Sequence, residues 1–417
     1  MRAFRVEQAG DEATVRAYRE LRRRVFVDTQ GLFDADDADE RDADPRTVVL
    51  VARHEDGAVL GGVRLGPAGS GPDVGWWHGG RLVTEPGRAP AAVGPALVRA
   101  ACACAERAGA LRFEASIQAR YERFFAGLGW QPLRPVTVAG APHVLMRWPI
   151  GLLPVAREPA AELVGADLVT ASDDAAPEVL AADPEWAGWG AVLAALNRVA
   201  ARGADPVGLV DEIAAPDRSV AGRALAGLRR AGTACGVPVL AGHTRLGVPA
   251  ALSVTALGRT AAPVPVAGRA GQRIRLTADL AGGWRPGYAG RQWDSTSGRG
   301  TAELRAMLAA VARGRPAAAR EVGGAGICGT LGLLAEASGC GAVLDVAAVP
   351  RPGGASAGDW LTCAPGFAVL TADEPGRGPL PAGPADSVEC GVLLPGAGVR
   401  LRWPDGVLTA LAPSAGG

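Results

Sequence analysis

Apolar residues recur at helical spacing between positions 12 and 26, where Val15, Tyr18, Leu21, Val25 and Phe26 fall on one face of a basic helix. An acidic stretch from Asp34 to Asp44 interrupts the pattern, and the period then shortens. Thr47–Arg53 and Val59–Leu65 read as strands joined at Glu55-Asp56-Gly57, and Val74–Val83 as a third. Helical spacing returns over Val93–Ala108, with Gly94 near the start and Gly109 just past the end. Leu111–Ile117 then reads as a strand and Arg120–Ala126 as a short helix stopped by Gly127. Val136–Val138 and His143–Arg147 read as a hairpin turning at Ala139-Gly140.

Beyond residue 149 the pattern changes. The proline-bearing segment 150–160 predicts a linker between domains. Trp189–Arg202 and Ser219–Gly232 are helices rich in small residues, and Pro238–Leu240, Ala250–Gly258 and Gln272–Leu276 are strands. Ala302–Arg313 and Ile327–Ser338 are helices, the second headed by glycines. From about 341 short strands alternate with Pro/Gly loops, and Ala412–Gly417 reads as a frayed tail. The expected organisation is 1–149, a linker at 150–160, and a second region in two halves, 161–265 and 266–417.

Composition narrows the picture. The 417 residues exceed one ordinary core, and 48% are apolar, which predicts packed domains. The formal net charge of +0 argues against nucleic-acid binding by phosphate neutralisation. No apolar leader or run of membrane-spanning length occurs, which predicts a soluble cytoplasmic protein. All 43 basic residues are arginine. With no lysine there is neither a Schiff-base amine nor a Walker-type lysine, so phosphate must be held by backbone amides, arginine or metal. The 7 cysteines and 4 histidines are too scattered for a zinc site and read as buried thiols and isolated rings.

In the first region, strand Gly80–Val83, loop Pro86–Gly94 and the helix start Pro95-Ala96-Leu97 form a small-residue turn into a helix N-terminus, suited to an anion. This resembles the pyrophosphate loop of GNAT acyltransferases, with Gly94 at the last glycine position and Ala91 at the earlier one. The segment LRRRVFVDTQGLFDADDADERDAD (21–44) and the Phe124–Trp130 stretch resemble the same family, as does the R-x-x-VF arrangement of acyl-homoserine-lactone synthases. The resemblance covers residues 3–148. It implies acyl transfer from acetyl-CoA to a small amine, with Leu82, Val83, Arg88, Gly94, Ala96 and Gln118 at the acyl-CoA. An attacking amine must lose a proton, so Glu85 and Glu114 are candidate bases, each equally readable as an ordinary paired carboxylate. Phe125 stands where GNAT enzymes often carry the tyrosine that protonates the departing thiolate, so either Tyr121 or water is the candidate acid. The acidic run reads either as a solvated loop or as a lid selecting a cationic acceptor.

In the second region, AGHT (241–244) followed by LSVTALG (252–258), WGAVLAALNRVAARGADP (189–206) and EVGGAGICGTLGLLAEASGCGA (321–342) are similar, in order, to signatures of the AIR-synthase (PurM-like) superfamily. The resemblance implies an ATP-binding fold, with Asn197, Gly242, His243, Thr244, Gly323 and Gly324 at the nucleotide. It also implies Mg²⁺ on the pair Asp173 and Asp174, and a homodimer through this domain. Arg198 stands where the family has an aspartate, and Glu321 replaces another. Either Arg198 meets phosphate directly or the metal site is altered. Together the resemblances imply a bacterial fusion of the two domains, of a type found in nitrilase-containing nitrogen-metabolism clusters. The expected fold class is α/β and α+β. The expected function is N-acyltransfer. An ATP-dependent kinase or ligase, or a dimeric ligand-binding scaffold, is the alternative.

Overall fold

The computed structural model describes residues 4–151, 161–165 and 167–411. Nearly all of the expected linker and the whole tail Ala412–Gly417 lie outside them. The chain forms two compact units, Met1–Leu152 with Ser356–Gly358, and Leu153–Ala355 with Asp359–Gly417. Among the described residues no helix is long and apolar enough to cross a membrane.

The first unit contains β1 (Phe4–Gln8), α1 (Glu12–Arg23), β2 (Val48–His54), β3 (Val59–Pro67), β4 (Trp76–Thr84), α2 (Val93–Arg107), β5 (Arg112–Gln118), α3 (Glu122–Gly127), β6 (Gln131–Val138) and β7 (Ala141–Trp148). These strands form one sheet in the order β1-β2-β3-β4-β5-β7-β6. Neighbours are antiparallel except β4 and β5, which run parallel. Asp11 caps α1 by accepting from the Thr14 N–H at 2.7 Å. The basic helix expected as far as Phe26 stops at Arg23, and Arg24–Thr29 form a wider π-type turn that buries Val25 and Phe26. α2 buries Leu97, Val98, Ala101 and Cys102 in a core that includes Leu60, Phe113 and Met146. Burial pushes the Cys102 thiol up to about 12, so it packs as an apolar group.

The second unit begins with β8 (Glu162–Val164), β9 (Leu168–Asp174), α4 (Pro177–Ala182), α5 (Pro184–Ala201), β10 (Asp205–Ala215), α6 (Arg218–Cys235), β11 (Val239–Leu246) and β12 (Ala251–Arg259). Its first sheet has the order β11-β10-β12-β9-β8. Then follow β13 (Arg273–Ala278), β14 (Gly283–Trp284), β15 (Gln292–Asp294), α7 (Thr301–Leu308), α8 (Ala310–Gly314), β16 (Ala318–Glu321), α9 (Gly326–Ala337), β17 (Gly341–Asp345), α10 (Ala357–Thr362), β18 (Ala364–Pro365), β19 (Ala368–Asp373), β20 (Asp386–Leu394), β21 (Val399–Arg402) and β22 (Leu408–Ala410). They build a seven-stranded sheet, β16-β19-β13-β20-β17-β21-β22, and a small one, β14-β15-β18. The whole is a mixed α/β fold.

The small residues of α5 and α6 have a structural use. A Cβ on Gly188 would lie 2.1 Å from the Ala224 carbonyl oxygen, and one on Gly227 would lie 1.8 Å from that of Glu185. The two helices therefore pack backbone against backbone, and both lie over the inner face of the five-stranded sheet. Strand alternation sends Leu209, Asp211 and Ile213 of β10 and Val169, Ala171 and Asp173 of β9 to that face.

Candidate functional site

In the first unit β4 and β5 pair only from Trp76↔Arg112 to Gly79↔Ala115. Beyond that point β4 stays with β3, and β5 stays with β7. Two parallel strands that part company leave a wedge with unpaired backbone groups on both sides. A cavity of about 1040 Å³ occupies this region. Of the residues expected at an acyl-CoA, Leu82, Val83, Gly94 and Gln118 border it, and so does Tyr121. Arg88 and Ala96 do not; Arg88 is ion-paired to Asp56 at 2.7 Å. The Gln118 side-chain amide donates to Gln30 Oε1 at 2.9 Å across the cavity wall.

Neither candidate base faces this space. Glu85 is bound by Arg24 at 2.6 Å. Glu114 is 1% exposed, held by Arg112 at 2.8 Å and Arg147 at 2.6 Å, and it also accepts from the Trp76 indole at 3.2 Å. Strand alternation turns it away from the cavity, which its neighbours Phe113 and Ala115 border. Buried between two arginines and turned from the cavity, Glu114 reads as a structural anchor and not as a base.

The acidic run is solvated only in part: Asp34, Asp36 and Glu40 are exposed. Three of its carboxylates, Asp37, Asp39 and Asp42, close a ring of alternating charge with three arginines. Arg22 meets Asp37 at 2.8 Å, Asp37 meets Arg81 at 3.2 Å, and Arg81 meets Asp39 at 3.3 Å. Asp39 in turn meets Arg64, Arg64 meets Asp42 at 2.5 Å, and Asp42 returns to Arg22 at 2.6 Å. Arg22 and Arg64 are almost wholly buried. For Asp42, burial alone would raise the carboxyl, but Arg22 and Arg64 together hold it well below its ordinary range. Asp44 is neutralised separately by Arg46. A cation-selecting lid would need free carboxylates facing the cavity; the ring and the Arg46 pair engage Asp37, Asp39, Asp42 and Asp44 and leave Glu40 there.

Two polar side chains at this end of the cavity were not singled out from the sequence. Arg41 borders the cavity, makes one 3.4 Å hydrogen bond to the Ala68 carbonyl, and has no carboxylate within ion-pair distance among the described residues. His78 also borders it, and its Nδ1 has no hydrogen-bond partner among them. Burial, then the charges of Arg41 and Arg64, hold the imidazole down at about 3, so it is neutral at ordinary pH. Glu40 is exposed at the cavity rim. His78 sits in an ordinary strand pattern, and only its scarcity in the chain could have marked it.

In the second unit the expected nucleotide residues separate into two groups. Asn197 on α5 is buried; its Nδ2 donates to the Gly366 carbonyl at 3.0 Å, while its Oδ1 has no partner. Next to it, Arg198 donates from Nη1 to the Ser172 carbonyl at 2.6 Å and lies 2.8 Å from Asp173 and 3.5 Å from Glu321. Glu321 ends β16 and leads into Gly323-Gly324 and the start of α9. Sequence-distant segments thus meet around one guanidinium. His243 and Thr244, by contrast, are exposed on the edge strand β11.

The pair Asp173 and Asp174 does not converge. Successive strand residues face opposite sides of the sheet, so Asp173 turns inward to Arg198 while Asp174 is exposed. No three His, Cys, Asp or Glu side chains come together as a metal site among the described residues.

Gly242 has a definite neighbour. β10 and β11 place it opposite Asp211, and a Cβ there would lie 2.5 Å from Asp211 Oδ2. Asp211 was missed in the sequence because Pro206, Gly208 and two adjacent acids obscure its strand. It is 5% exposed and its Oδ1 has no partner. Burial pushes its carboxyl above the ordinary value, with Arg229 opposing.

Comparison with known proteins concerns this second unit. Residues 158–260 match the model of the AIR synthase related protein, N-terminal domain, and form an AIR synthase-related, PurM-like domain. An uncharacterized protein of Synechocystis sp. is 31% identical over 215 residues, 50% of this chain and 66% of that protein. One from Methanocaldococcus jannaschii is 30% identical over 201 residues, 45% of this chain and 61% of the relative. The chain therefore spans a little under two thirds of these relatives' own length. Among solved structures, Thermotoga maritima PurL complexed with AMPPCP shares the fold at a TM-score of 0.52 and 14% identity, covering 64% of this chain and 48% of PurL.

Proposed function

We propose that the second unit binds ATP and serves an ATP-dependent phosphoryl-transfer reaction on a small molecule. The observation that carries this reading is the convergence of Asp173 and Glu321 from separate segments on Arg198, which, like Asp173, lies in the AIR synthase-related domain. The residue before Arg198, Asn197, is buried with its Oδ1 left without a partner. The likeness to PurL, solved with AMPPCP, ADP and ATP, supports a nucleotide as the ligand. The test is a thermal shift with AMPPCP: at a hundredfold excess over Kd, binding adds about 2.7 kcal/mol of apparent stability. No shift with AMPPCP, ADP or ATP would overturn the reading.

A second reading is favoured by the wedge between β4 and β5. The cavity there suits an acyl thioester such as acetyl-CoA, with its carbonyl against the free edge of Leu82-Val83 and its phosphates toward Gly94. On this reading the first unit is a GNAT-type N-acyltransferase. The amine nitrogen bonds to the thioester carbonyl carbon, the C–S bond breaks, and the amine proton ends on the departing thiolate. Tyr121 borders the cavity and is placed to pass that proton. Among the described residues Arg41 borders the cavity with no carboxylate within ion-pair distance, which favours an amine acceptor that also carries an anionic group. The reading fails if acetyl-CoA gives no thermal shift with the full chain.

The fully exposed edge strand β11, with Leu240 56% exposed, supports self-association through the second unit.

A further inference from the structure

We infer that Arg198 is a resident cation standing in for a divalent metal, so that the second unit binds nucleotide phosphate without metal. The inference rests on the ATP-binding reading and specifies the chemistry of that same site.

A magnesium ion requires about six oxygen ligands near 2.0–2.1 Å in octahedral array. The residues expected to supply them do not fit it. Asp174 faces away from Asp173. The two carboxylates that remain, Asp173 and Glu321, are both turned to one guanidinium, at 2.8 Å from its Nη2 and 3.5 Å from its Nε. That guanidinium is 8% exposed and is fixed further by its 2.6 Å bond to the Ser172 carbonyl. A dication using the same oxygens would sit beside a permanent positive charge, because arginine does not deprotonate in proteins.

The guanidinium also does what the ion would otherwise do. Two half-buried carboxylates near a triphosphate would repel it, and a cation beside both offsets that repulsion. Arginine is suited to the task because its planar fork binds carboxylate and phosphate oxygens in fixed directions. The Gly323-Gly324 turn directly after Glu321 brings backbone without side chains to the same place. In a chain without a single lysine, this is a route to phosphate that needs neither ammonium nor metal.

The experiment is calorimetric titration of the full chain with AMPPCP, in excess EDTA and in excess Mg²⁺, for the wild type, Arg198→Asp and Arg198→Met. Wild-type affinity should agree within about twofold between the two conditions, whereas Arg198→Asp should bind about tenfold or more tightly with Mg²⁺ than with EDTA. Arg198→Met, with neither cation nor ligand, should bind weakly in both. A wild type that needs Mg²⁺ overturns the inference and leaves the ATP reading standing. Binding to no nucleotide in either condition removes the ATP reading itself. Should Arg198→Asp fail to fold, Mn²⁺ electron paramagnetic resonance on the wild type with AMPPCP decides. Mn²⁺ immobilised by the protein beyond its complex with the nucleotide overturns the inference, and none supports it.

Discussion

The hydroxyl of Tyr18 donates a 2.8 Å hydrogen bond to the carbonyl of Arg81, a non-glycine residue held at φ 55°. That left-handed conformation costs about 1–2 kcal/mol, and it occurs where the Arg81 side chain turns into the charged ring. Tyr18→Phe keeps the packing but leaves a buried carbonyl unpaired. We expect a loss of about 1–3 kcal/mol in urea denaturation.

The ring makes a sharper prediction. Asp42→Asn removes the charge that Arg22 and Arg64 share, leaving two almost wholly buried guanidinium groups with one carboxylate each, Asp37 and Asp39. Breaking a buried pair from one side costs about 3–5 kcal/mol. Asp44→Asn, in the same acidic run but on the separate, more exposed Arg46 pair, should cost far less. Chemical denaturation of the two variants checks this directly, and equal costs would show that the ring is not a unit.

Acid sensitivity should have two stages. An unfolded histidine titrates near 6.5 and native His78 at about 3. Between those values the unfolded chain binds the additional proton, so stability falls as pH drops below about 6.5. Asp42 has a native value below its unfolded 3.8, so its contribution is intact above that pH and is lost as pH falls further. A His78→Gln variant should flatten the Tm profile between about pH 6.5 and 4.5 and leave the lower stage in place.

Asp211 should behave in the opposite sense. Its folded value is raised, so the native state holds a proton that the unfolded chain has released, and stability falls as pH rises above the unfolded 3.8. Asp211→Asn should therefore gain Tm relative to wild type as pH increases from about 4 to 8, measured by calorimetry.

Gly227→Ala tests the crossing of α5 and α6. The added methyl would lie 1.8 Å from the Glu185 carbonyl oxygen, so the helices must separate. A loss of about 1–3 kcal/mol or more is expected, against a small gain for Ala at Gly222, which faces open space on the same helix.

What the sequence revealed follows from which forces act locally. Helices α2, α6 and α9 and the hairpin at Ala139-Gly140 were legible because periodicity and turn chemistry are local, and both turn residues adopt positive φ, at 47° and 74°. Strand β10 was not, because burying Asp211 depends on a neighbouring glycine from β11. Arg198 could be seen as a departure from a family pattern, but its bond to Asp173 required strands that the pattern did not delimit. The ring was the least visible feature. Seven carboxylates in eleven positions read as a solvated run, since the arginines that pair with three of them, Asp37, Asp39 and Asp42, lie on α1, β3 and β4.

Closure of that ring also constrains how the chain can change over generations. Each of the six residues has two partners, so the loss of any single charge takes one of the two partners from each of its neighbours. Acceptable change is confined to replacements that keep the alternation or remove the whole set. Across related chains, positions 22, 37, 39, 42, 64 and 81 should therefore vary as a block, and a chain with only one of them altered should carry a second alteration beside it.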